Sequence, residues 1–162
     1  MKKHGIFIGV AAGLTMAWIG SASADVLNAV TRTIPITGAG LAVFVQLTDG
    51  GATSVAFVTT VANQRVVVTY NAECQVTALD HVTWLNTDIL VDGIVAPPST
   101  SDNALCTSNN NVGGGNWVSA TTTVVRIVPF AGVHTVSVRA TLVGFAAGES
   151  WRLDDSALVI ER

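Results

Sequence analysis

Between Val133 and Val143 the chain reads VHTVSVRATLV. Val136, Val138, Ala140 and Leu142 fall on one side of an extended strand. Thr135, Ser137, Arg139 and Thr141 fall on the other. A period of two cannot serve a helix, whose apolar positions return every three or four residues. It demands a strand with one face in a core and one face toward solvent. The same alternation marks GLAVFVQL, where Leu41, Val43, Val45 and Leu47 share a face. SVAFVTTV and QRVVVTY follow, β-branched and divided by Ala62-Asn63. In TWLNTDILVDGIVAPP, apolar residues flank Asp92-Gly93, the pair that suits a tight primed hairpin turn. ATTTVVRIVPFAGVHTVSVRATLVG reads as a second hairpin around Pro129 to Gly132, and SALVIER as a last strand. No window sustains helical periodicity.

About eight such strands in one domain predict a two-sheet antiparallel β-sandwich. A jelly roll is the expected arrangement, with an immunoglobulin-like Greek key as the alternative. The expected core is Val43, Val45, Val66, Val68, Trp84, Ile89, Val125, Ile127, Val136, Val138 and Leu158. On these faces Val138→Asp should unfold the domain and Arg139→Asp should barely matter.

Residues 1–24, MKKHGIFIGVAAGLTMAWIGSASA, have the three-part layout of a bacterial secretory signal. Lys2 and Lys3 form the positive end, the stretch to Ile19 is apolar, and Ala22-Ser23-Ala24 is a peptidase site. The apolar run falls short of the ~20 residues that span a bilayer. Cleavage leaves one domain, residues 25–162, in the periplasm or outside the cell. Intact mass of the exported protein should correspond to a chain starting at Asp25. A product that keeps residues 1–24 contradicts cleavage.

Both lysines leave with the signal. Six arginines then face eleven carboxylates, a net side-chain charge of −5. Nucleic acid and anionic membranes are both held by clustered cations, which this chain lacks. No second apolar run is long enough to span a membrane.

Cys74 and Cys106 are the only cysteines. An even pair carried into oxidising space is expected to form a disulfide. Cys106 lies in SDNALCTSNNNVGGGNW, residues 101–117. Asparagine and glycine accept left-handed backbone geometry, so the run from Asn109 to Gly115 predicts a surface loop rather than a packed strand. Secreted sandwiches bind through such loops, and Asn109, Asn110, Asn111, Asn116 and Trp117 are the candidate binding residues for a glycan or protein partner. A stapled connection with Trp117 simply packed at the rim is the alternative.

DILVDGIVAPP, then VPFAGVHTVSVRATL, then LDDSALVIER resembles the closing hairpins and last strand of small secreted bacterial jelly rolls. The stretch is loosely similar to the C1q and tumour-necrosis-factor-like class over roughly residues 55–162. The resemblance implies that fold, a non-enzymatic binding or assembly role, and association as trimers. The class places aromatic residues along its subunit contacts, for which Trp84, Trp117 and Trp151 are available. It carries over no catalytic residue.

Candidate chemistry is sparse. His81 lies between Asp80 and Asp88 in LDHVTWLNTD, which could orient a general base, but no nucleophile motif accompanies it. His134 reads as an edge residue capping the core face. Asp154 and Asp155 point to opposite faces if they lie on a strand; in a turn they could ligate calcium. No other cofactor is expected. The expected function is that of a secreted, non-enzymatic β-sandwich that binds a partner or surface glycan, or packs into an extracellular assembly. A small polysaccharide-acting hydrolase is the alternative.

Overall fold

The computed structural model describes residues 24–78, 83–98, 103–108 and 117–162. The signal segment therefore lies outside the described residues up to its last position, Ala24. Among the described residues eleven strands form two antiparallel sheets packed face to face. The first sheet holds β1 (Val26–Arg32), β2 (Ile36–Gly38), β5 (Gln64–Thr77), β9 (Val118–Val128) and β11 (Ser150–Glu161). The second holds β3 (Val43–Phe44), β4 (Ser54–Thr59), β6 (Trp84–Val91), β7 (Ile94–Val95), β8 (Ala104–Thr107) and β10 (Gly132–Val143). The chain is the two-sheet antiparallel β-sandwich that the alternation demands.

The strand order explains why eight runs in sequence become eleven elements. In the first sheet the order is β1-β11-β5-β9, with β2 also against β11. In the second, β10 carries β3 and β4 end to end on one side and β6 on the other, while β6 carries β7 and β8. Three of the four sheet edges are thus split into short strands, which blunts them against pairing with other chains. β9 is the exception: all eleven of its residues pair with β5, and it forms the last strand of its sheet.

Between the sheets lie Val66, Val68, Val136, Val138, Ala140, Leu142, Leu158 and Ile160, all buried. Val45 and Ile89 join them, as expected. Four expected core residues do not. Val43 and Ile127 are exposed, and Trp84 and Val125 are only half-buried. In β9 the inward residues are Val124 and Val128, set by the register that pairs Val124 with Val68. Arg126 shares their parity, and a charge in that row is tolerable because an edge strand lets a long side chain reach solvent. The GLAVFVQL run is likewise not one strand. Val43 and Phe44 form the short strand against β10, Val45 and Leu47 are buried, and Leu41 is exposed. Gly40, at φ +66°, packs so close under the Phe145 ring that a side chain would collide with it.

Two turns read from sequence come out differently from each other. Asp92 and Gly93 both take positive φ (51° and 75°) and close the β6–β7 hairpin as expected. The expected second hairpin does not form. β9 pairs with β5 while β10 pairs with β4 and β6, so Pro129 to Ala131 turn a corner from one sheet to the other.

Candidate functional site

Cys74 and Cys106 form a disulfide, with Cα atoms 6.1 Å apart. Cys74 is on β5 and Cys106 on β8, so the bond crosses the sandwich and ties one sheet to the other. The proposed binding loop begins just beyond it. Asn109, Asn110, Asn111 and Asn116 lie outside the described residues, as do Asp80 and His81. Trp117 is described. It stands at the start of β9, 39% exposed, with the Arg152 guanidinium carbon 5.3 Å from its ring centre. That is cation–π range, and it fixes one face of the indole to β11 while leaving the rest open.

Asp154 and Asp155 sit neither on a regular strand nor in a turn. The β11–β5 register slips between Asp154 and Ser156, so Asp155 is the extra residue of a β-bulge, at φ +32°. Aspartate is one of the few side chains that tolerate this region. Its N–H donates to Asp154 Oδ1 at 3.1 Å, and Asp154 Oδ2 lies 3.9 Å from Arg152. Among the described residues no three histidine, cysteine or carboxylate groups converge as a metal site would require. Asp88, considered beside His81, is engaged elsewhere. Arg139 donates to its Oδ2 from Nη2 at 2.6 Å and from Nε at 3.2 Å.

One polar cluster was not foreseen. His134 is 1% exposed, not an edge residue, and its ring lies between Phe57 and Phe130. Nδ1 donates to Asp92 Oδ2 at 2.7 Å; Nε2 lies 3.2 Å from Thr59 Oγ1 and 3.0 Å from the Phe130 carbonyl. Asp92 Oδ1 accepts the Thr135 N–H at 2.9 Å. The sequence did hold a signal for this: His134 has the inward parity of Val136 and Val138, so it had to find polar partners inside. Asp92–His134–Thr59 has the residue types of a catalytic relay. However, Thr59 and His134 are both buried, so no substrate reaches the hydroxyl. The cluster pins the β6–β7 turn and the Pro129 corner to the end of β4.

Burial raises the Asp92 carboxyl, but the hydrogen bonds from His134 and Thr135 outweigh it and hold the group below the usual carboxylate range. A carboxyl depressed by folding contributes stability above its unfolded value, near 3.9, that is lost as pH falls through the folded value. Asp92→Asn should therefore lower the melting temperature at neutral pH, and the gap from wild type should close on acidification below about pH 4. Circular dichroism melts across pH 2–7 check this; a gap that stays constant through acid contradicts it. Elsewhere in the interior, burial pushes the Tyr70 hydroxyl up to about 12, with Ser156 and Arg32 opposing. Among the described residues the Nε of Arg32 has no hydrogen-bond partner.

Among the described residues the surface has several shallow concavities. One of about 410 Å³ is lined by Pro97, Val125, Arg126 and Ile127 beside β9. Another of about 230 Å³ lies between Gly40, Leu41 and Phe145. Neither gathers convergent acid, base and nucleophile. The fold and these surfaces define a disulfide-bridged antiparallel β-sandwich. In comparisons with known proteins, no family model matches the chain, and no curated protein matches it significantly. Among the described residues no helix is long and apolar enough to cross a membrane.

Proposed function

We propose that the protein is an exported, non-enzymatic β-sandwich that acts through its surface, by packing into an extracellular assembly or by holding a protein or glycan partner. The observation that carries this reading is β9. It is a long edge strand, continuous where the other edges are split, with Trp117, Val118 and Ile127 exposed along it. In the one acid–base–hydroxyl cluster among the described residues, the histidine and the hydroxyl are buried, which counts against the polysaccharide hydrolase. A jelly-roll arrangement is supported by the connections. Of the strands from β4 to β11, β6–β7–β8 stay within one sheet, whereas β4–β5, β5–β6, β8–β9, β9–β10 and β10–β11 cross between sheets. An immunoglobulin-like Greek key keeps more of its hairpins within a sheet. The similarity to the C1q and tumour-necrosis-factor-like class agrees with a non-catalytic role.

Pull-down of the purified protein on insoluble polysaccharides and light scattering over a concentration series test the proposal together, alongside reducing-sugar release. Binding or self-association without sugar release is expected. Sustained release that disappears in His134→Ala or Asp155→Asn would overturn it in favour of the hydrolase.

A further inference from the structure

We infer that β9 pairs antiparallel with β9 of a second copy of this chain, joining the two five-stranded sheets edge to edge across a two-fold axis at Thr121. This rests on the surface-association reading above and names the partner.

The first observation is the state of the edges. The other three sheet edges are interrupted, and β9 alone runs unbroken for eleven residues. From Val118 to Val125 it carries no charge, no proline and no glycine. An edge of that kind is a template for another strand. Among the described residues, the one backbone bond on its far side runs from the Val125 N–H to the Pro97 carbonyl at 3.1 Å. In an antiparallel strand alternate residues point their backbone groups the same way. The odd-numbered residues Ser119, Thr121 and Thr123 therefore face outward with Val125.

The second observation selects the occupant. Pairing centred on Thr121 sets Thr121 opposite its own copy and Ser119 opposite Thr123. Small, uncharged side chains then stand opposite each other, the Thr121 and Thr123 hydroxyls being held by Asn71 and Thr69 of β5, with no like charges opposed. The paired stretch stops at Thr123, because Pro97 already takes the Val125 N–H. That register carries the partner's Trp117, just past the paired stretch, toward the apolar depression lined by Pro97, Val125, Arg126 and Ile127. Trp117, Val125 and Ile127 share the parity that faces out from the sheet, so the indole would lie over the depression rather than beneath the strand. One end of β9 thus presents an exposed aromatic and the other an apolar hollow. A two-fold axis matches each to the other twice, as an isologous interface requires. Strand exchange with an unrelated chain would use the backbone edge but would leave the tryptophan and hollow unmatched.

Sedimentation equilibrium on the purified protein tests the inference. Wild type should dimerise with a dissociation constant in the micromolar range or tighter. Thr121 is exposed and its Oγ1 accepts from Asn71 Nδ2 at 2.7 Å, but Asn71 keeps the Ala120 carbonyl as a partner, so Thr121→Lys should stay folded while opposing two ammonium groups at the axis and leaving a monomer. Trp117→Ala should weaken the dimer at least about tenfold, the scale of a lost aromatic anchor. Wild type that stays monomeric at about 100 μM overturns the inference, leaving the wider proposal to its polysaccharide arm. A dimer indifferent to Thr121→Lys also overturns it and moves association to another surface. A dimer broken by Thr121→Lys but unmoved by Trp117→Ala overturns the register.

Discussion

Cys106→Ser is expected to lower the melting temperature by on the order of 10–15 °C. Closing a loop of about 30 residues removes roughly 3.5–4 kcal/mol of chain entropy from the unfolded state. For a domain of this size each kcal/mol moves the midpoint by about 3–5 °C. Location adds to the effect. β8 spans only Ala104–Thr107 and pairs with three residues of β6, Trp84, Leu85 and Asn86. The disulfide is its covalent tie to the opposite sheet, so without it β8 can leave while the remainder stays folded. Buried Leu85 and Leu105 would then meet water. The Cys74→Ala/Cys106→Ala pair serves as control, because it leaves neither a buried hydroxyl nor a free thiol. Calorimetry of both variants, and of wild type in reductant, should give similar losses. A shift under about 2 °C in all three would show that the sheets and β8 hold without the staple.

How much of this was legible depended on whether a strand's two parities differ. In β10 they differ sharply: Val136, Val138, Ala140 and Leu142 against Thr135, Ser137, Arg139 and Thr141. The structure buries the first set. In β9 they do not. Val124 and Val128 compete with Val125 and Ile127, and only the register against β5 decides which pair goes in. The Pro129 to Ala131 turn shows a second limit. Turn residues say that the chain reverses, but whether the flanking strands then pair or separate into two sheets is settled by partners distant in sequence. At the candidate sites, the Asp92–Gly93 turn was legible as geometry, yet the Asp92 carboxylate's role was not. Its partner His134 lies 42 positions away, brought close by the β10–β6 pairing. The disulfide was legible because two exported cysteines have one simple fate. Trp117 stood out as an odd residue, but the strand edge that gives it context appears only once the sheet order is known.

Val138→Asp should leave no folded protein at room temperature. Val138 is 0% exposed, faces Ile89 across the β10–β6 ladder, and its carbonyl accepts the Val45 N–H at 2.8 Å. An ionised carboxylate there would lie in the hydrophobic core between the sheets, and burying an unpaired charge costs several kcal/mol or more. Added to the lost valine packing, that approaches the roughly 5–15 kcal/mol a domain typically holds. The sequence alone made Arg139→Asp, one position along, a neutral control. The structure corrects this. Arg139 sits opposite Asp88, whose side chain is 11% exposed, and holds it through two nitrogens. Replacing the guanidinium with a carboxylate strands Asp88 and adds a like charge beside it, so a loss of about 2–4 kcal/mol is expected. The neutral control is Val133→Asp on the same strand, where the side chain is 68% exposed and a carboxylate meets water. Urea unfolding of the three variants should therefore rank them with Val138→Asp unfolded, Arg139→Asp intermediate and Val133→Asp close to wild type. Comparable losses at positions 138 and 133 would show that the two faces of β10 had been assigned wrongly. A wild-type midpoint for Arg139→Asp would show that the Asp88 pair contributes nothing to the fold.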